Sequence, residues 1–119
     1  MTAIKENSTL NANRKNNRAS CPVSFVMSKI GGHWKPIILY HLLSGTKRYN
    51  ELKKLIPAIT EKMLIQHLKQ MQQDNLVIRE AQNVVPPFVT YRLSNEGEQL
   101  RTVLDAMVDW AFAQDFKID

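Results

Sequence analysis

The chain has 119 residues, 44% of them hydrophobic, which suits one domain with a modest core and is short for two. It has one cysteine, its polar opening residues have no signal-peptide character, and its densest apolar stretch (PIILYHLL, residues 36–43) falls far short of the roughly 20 residues that span a bilayer, so a disulfide scaffold and a helical membrane protein are excluded and a cytoplasmic location is expected. The net charge of +5 is uneven: +3 over residues 1–28, +6 over 29–92 and −4 over 93–119, a basic body with an acidic tail, which points the body toward a polyanion.

Residues 1–20 are rich in Asn, Ser, Lys and Arg and lack apolar periodicity. They are expected to form a flexible basic arm, with Arg14, Lys15 and Arg18 as phosphate-contact candidates. One ordered domain is expected over 21–119. Proline suits the first turn of a helix, so the first helix begins at Cys21-Pro22. It runs to about Ile30, burying Val23, Val26, Met27 and Ile30, and Gly31-Gly32 ends it. A second helix spans about 34–43. Its apolar residues are so dense that both of its sides must be covered, which makes it the central core helix. Thr46-Lys47-Arg48 is short and extended. A third helix, about 49–55, turns Leu52, Leu55 and Ile56 inward and Lys53 and Lys54 outward, and Pro57 closes it.

Thr60 is the expected N-cap of a fourth helix that ends near Asp74-Asn75. With Leu64 at zero and 100° per residue, Leu68 and Met71 fall within about 40° of it and define a buried seam. Lys62, Lys69, Gln73, Gln66 and Gln70 fall opposite, at about 140–240°, in a solvent-facing stripe without an acid. Residues 77–82 and 88–93 read as strands, and the Pro86-Pro87 pair between them makes a stiff hairpin tip. Ser94 caps a last helix that runs to about Phe112. There Leu100, Val103, Leu104, Met107, Val108, Trp110 and Ala111 form a broad apolar face, with Asp105 and Asp109 opposite.

Two helices with a short joint, followed directly by a hairpin, make a winged helix-turn-helix. The fold class is mainly α (α+β), with N- and C-terminal dimerisation helices. In such a unit the second helix enters the major groove. Lysine there reaches phosphate or guanine O6 and N7, and glutamine pairs with adenine N6 and N7. Thr60, Lys62, Gln66 and Lys69 are the expected base-reading residues. Arg48, Lys53 and Lys54 are expected on phosphates, which adds affinity rather than sequence choice. Outside that context, the stripe reads equally well as a solvated face.

The chain resembles the HxlR-type transcriptional regulators, a branch of the MarR-like winged-helix group. The resemblance is carried by Cys21-Pro22-Val23, by Gly31-Gly32 with Trp34-Lys35, and by Leu39, Leu42 and Gly45. It continues through Arg48-Tyr49-Asn50-Glu51-Leu52, residues 56–64 (IPAITEKML) and Leu68. Val85-Pro86-Pro87, Val89, Tyr91, Leu93-Ser94, Gly97 and Trp110 complete it. It implies a homodimer that binds near-palindromic operator DNA, often under a redox or electrophilic signal. The chain departs from the pattern at Ala58 and Asn75, where glycine is usual, and at His33, where a base is usual. It also has Phe88 where a basic residue usually follows the proline pair. Residues 80–91 contain no lysine or arginine, which leaves Arg79 and Arg92, at the base of the wing, to meet the DNA backbone.

Cys21 sits where the first helix begins, and a helix N-terminus favours the reactive thiolate. It is a candidate sensor; the alternative is an inert capping cysteine. With one thiol per chain, oxidation would give an intersubunit or a mixed disulfide. His33, His41 and His67 do not share a helix face, so no metal site and no cofactor is expected. Trp34 and Trp110 read as packing residues. The terminal helices are wider in apolar surface than one small core needs, so Val23, Val26, Val103, Leu104, Met107, Trp110 and Ala111 are expected at a two-fold interface. A small-molecule or oxidant inducer fits this scheme. No enzymatic motif is present: there is no phosphate-cradling loop, no acid–base pair and no nucleophile elbow. The rival reading is a winged-helix adaptor that binds protein rather than DNA, since fold does not fix function.

Overall fold

The computed structural model describes residues 21–118. The expected arm, with Arg14, Lys15 and Arg18, lies outside the described residues. The chain divides at Gly32–His33 into two units.

The first contains helix α1, Pro22–Ile30, with proline in its first turn. The Gly31 N–H donates to the Met27 carbonyl (2.8 Å), and a β-carbon on Gly31 would strike that same carbonyl. Of the four residues expected to be buried, Ile30 is buried and Val26 half-buried, but Val23 and Met27 are exposed. Periodicity sets the direction of a side chain, not how far along the helix the covering chain extends.

In the second unit, α2 (Trp34–Leu42) is followed by β1 (Lys47–Arg48), α3 (Tyr49–Leu55) and α4 (Glu61–Gln73). Strands β2 (Val77–Gln82) and β3 (Phe88–Leu93) come next, then α5 (Asn95–Glu98) and α6 (Arg101–Phe112). Helix α2 buries Ile38, Leu39 and Leu42 and packs against α3, α4, β3 and α6. It is the core helix, but it is not covered all round: Tyr40 is exposed and Ile37 half-buried. These two line an apolar groove of about 430 Å³ with Leu104, Met107, Phe112 and Phe116.

The α3–α4 joint is held from within. Ile56 and Ile59 are buried, and the Ile59 N–H donates to the Ile56 carbonyl. Leu55, expected inward, is exposed, whereas Ile59 on the turn is buried. Helix α4 buries Leu64, Leu68 and Met71, the expected seam. It ends in a left-handed residue, Asn75, at φ 61°. The Leu76 N–H reaches back to the Met71 carbonyl (2.9 Å) and the Asn75 N–H to Gln72 (3.0 Å). That pattern needs a residue tolerant of positive φ, and asparagine can stand there in place of glycine.

The sheet is antiparallel, in the order β1-β3-β2. Val77 pairs with Leu93, Arg79 with Tyr91, and Arg48 with Thr90. Ser94, at the exit of the hairpin, is the one buried polar side chain among the described residues. Its N–H donates to the Leu76 carbonyl (3.0 Å), and its hydroxyl donates to the Asn75 carbonyl (2.6 Å) and accepts from the Gly97 N–H (2.9 Å).

The expected single last helix is two pieces. The Leu100 N–H bonds to Gly97, three residues back, and this tighter turn separates α5 from α6. On α6, Leu104 is only 3% exposed within the chain, so it belongs to the core and not to a surface seam. Trp110, read from sequence as a packing residue, is 68% exposed.

A β-carbon on Gly97 would collide with the Leu76 carbonyl, the acceptor of the Ser94 N–H. Gly97→Ala is expected to lower stability by about 1–3 kcal/mol, as overpacking does, read as a lower urea midpoint with an unchanged m-value.

Candidate nucleic-acid interface

The surface is assembled on α4, whose first turn is organised by Thr60. The Thr60 Oγ1 accepts from the Met63 N–H (3.1 Å), satisfying one of the four unpaired N–H groups at that end. With the seam turned inward, Lys62, Gln66, Lys69 and Gln73 are all exposed, and Gln70 is half-buried. Among the described residues, no acid lies within ion-pair distance of Lys62 or Lys69.

Sequence reasoning missed Ile65. It is 51% exposed, and one residue on from Leu64 it sits about 100° from the seam, beside the polar stripe. A large apolar side chain among reading residues can contact a thymine methyl. The signal was present as an isoleucine that fits neither the seam nor the polar face.

The flanking cations have different fates. Lys54 is exposed, whereas the Lys53 ammonium donates to the Pro57 carbonyl (3.3 Å) and helps close α3. Arg48 is exposed on β1, with its guanidinium 4.2 Å from the centre of the Phe88 ring. Arg79 and Arg92 do not act as a pair. Residues opposite each other in an antiparallel ladder share a face. Arg79 therefore shares the face of Val77, Tyr91 and Leu93, while Arg92 shares that of Ile78, Glu80 and Thr90. Arg92 Nε lies 3.3 Å from Glu80 Oε1, both about half exposed, a pair worth at most about 1 kcal/mol. At the tip, Val84 is half exposed and Val85 fully exposed.

Two histidines are shifted by their surroundings. His67, on α4, has its pKa held below the ordinary value by burial first and then by the Lys35 charge, with the Gln70 side chain acting the other way. His41, on α2, is lowered by burial and then by Lys47. Both shifts favour the neutral imidazole, so neither histidine adds to the positive field near pH 7. Among the described residues, no three His, Cys, Asp or Glu side chains come together as a metal site. No described helix is long and apolar enough to cross a membrane. Cys21 is exposed at the start of α1, where its side chain makes no capping hydrogen bond.

Known proteins share this sequence pattern and fold. The model of the HxlR-like helix-turn-helix family matches residues 29–117. The HTH-type transcriptional regulator YdeP of Bacillus subtilis is 43% identical over 99 residues, 83% of this chain and 77% of that protein. The redox regulator HypR in its oxidised form superposes with a TM-score of 0.75 at 38% identity, covering 83% of this chain and 99% of that one. The reduced form of the regulator YodB from B. subtilis gives a TM-score of 0.67 at 35% identity, over 76% of this chain and 90% of that one.

Proposed function

The chain belongs to the HxlR-like helix-turn-helix family and is a transcriptional regulator of helix-turn-helix type, not an enzyme, and from that premise we propose that it is a homodimeric repressor that occupies a near-palindromic operator. The observation that carries this reading is the exposed, acid-free stripe on α4, held outward by the buried seam of Leu64, Leu68 and Met71. Thr60, Lys62, Gln66 and Lys69 read base edges from its N-cap and first three turns. Lys54, Arg48 and Arg79 contact phosphate. Lys53 and Arg92 join them by exchanging an internal partner, Pro57 or Glu80, for a phosphate oxygen.

Uncovered apolar surface supports the dimer. On α6, Val103, Met107 and Trp110 are exposed and Ala111 is half-buried. On α1, Val23 is exposed and Val26 half-buried. A two-fold axis through such faces would place two recognition helices on half-sites about 34–36 Å apart. The acidic tail, next to these faces in sequence, stays away from phosphate.

A second reading, a redox response, is favoured by the match to a redox regulator and by the exposed thiol of Cys21. Two Cys21 thiols, one from each protomer, would give up two protons and two electrons to a peroxide. The products are an intersubunit disulfide and reduced peroxide.

Three outcomes test these assignments. In a titration against duplex DNA selected from a random pool, Lys62→Ala with Lys69→Ala should weaken binding by about 1–3 kcal/mol for each lysine that contacts a base. Wild-type affinity in that double variant defeats the assignment of α4 as the reading helix. Trp110→Glu should shift the sedimentation profile to monomer and lose operator binding. Leu104→Asp does not serve this purpose, because it would disrupt the core. Hydrogen peroxide should produce a doubled mass on a non-reducing gel and altered operator affinity, and Cys21→Ser should abolish both; an unchanged response in Cys21→Ser excludes the thiol.

A further inference from the structure

The wing strands carry no cation along residues 80–91, yet the face they share with β1 is not neutral. Arg48 lies opposite Thr90, and Thr90 lies opposite Glu80, so all three side chains leave the same face of the sheet. Phe88 is two residues before Thr90 on β3 and therefore on that face too. The diagonal between Arg48 and Phe88 is within reach of a long side chain, and the guanidinium rests 4.2 Å from the ring centroid.

We infer that Phe88 is a positioning residue for DNA binding: it holds the Arg48 guanidinium on the wing face so that its N–H edge meets a backbone phosphate beside the groove read by α4. This rests on the DNA-binding role of α4 described above.

Three observations support it. A guanidinium stacked on an aromatic ring uses its flat face and leaves its in-plane N–H donors open, in the fork that suits a phosphate. The acids near it are already engaged. The Glu51 carboxylate accepts from the Arg48 backbone N–H (2.7 Å), and the Glu80 carboxylate pairs with Arg92. Among the described residues, no carboxylate lies within ion-pair distance of the Arg48 guanidinium itself. Finally, the backbone of Arg48 is fixed twice, by its strand pairing to Thr90 and by Glu51, so the ring needs only to restrain the side chain. An aromatic residue at 88 thus brings positive charge to the wing from a neighbouring strand. A lysine at 88 would instead repel Arg48 from this position.

The test measures affinity for the selected duplex over a range of salt concentrations, with thermal unfolding to confirm that each variant is folded. Arg48→Ala should weaken binding and make the slope of log K against log salt shallower by about one. Phe88→Leu keeps every charge, yet it should weaken binding by about two- to fivefold and make the slope shallower. In the Arg48→Ala background, Phe88→Leu should have no further effect, and Phe88→Trp alone should retain wild-type binding. Wild-type affinity in Phe88→Leu, or losses that simply add in the double variant, overturn the proposal while leaving the role of α4 intact. No measurable binding by the wild-type protein overturns that role, and this proposal with it.

Discussion

The geometry of the recognition surface depends on one buried hydroxyl. Ser94 bonds through its backbone to Leu76 and through its side chain to Asn75 and Gly97. Asn75 and Leu76 are the residues by which α4 ends, Ser94 closes the hairpin, and Gly97 starts the path to α6. Three elements with different periodicities therefore meet at one serine and are held in register. An unpaired polar group at that depth would cost about 1–3 kcal/mol, so the serine is tolerated only while all three partners stay in place. This requirement also explains the glycine at 97, since no side chain fits against the Leu76 carbonyl.

The electrostatics follow a similar economy. Several charges are committed inside the protein: Glu51 caps α3, Glu80 pairs with Arg92, Glu98 pairs with Arg101, and Lys53 donates to a carbonyl. Among the described residues, Lys62 and Lys69 on α4 and Arg48 on β1 have no carboxylate within ion-pair distance. Such a surface has little to gain from the protein itself. Its field is best satisfied by a polyanion, and that attraction weakens as salt replaces it.

A different imbalance marks the terminal helices. Val23, Phe25, Met27, Met107, Trp110 and Phe112 are all about half exposed or more. So much uncovered apolar surface on two short helices is more than a small monomer usually presents, and the proposed dimer would cover it. The family match and the structural likeness to HypR and YodB agree with the winged-helix fold.

Local periodicity and capping signals determined most of the elements. The Leu64, Leu68 and Met71 seam, the Thr60 cap, the bounds of both hairpin strands and the outward stripe were all legible, because each depends on residues within a few positions of one another. Asn75, marked in the sequence only as a departure from glycine, turned out to need a left-handed backbone. Tertiary structure alone decided the rest. It buried Leu104 while exposing Trp110 on the same helix, buried Ile59 while leaving Leu55 exposed, and turned Arg79 and Arg92 to opposite faces. It also brought Phe88 under Arg48, 40 positions away along the chain. The physical reason is the same in each case: a sequence pattern gives the direction in which a side chain points, but what it meets there is set by strand register and by how far the neighbouring elements extend.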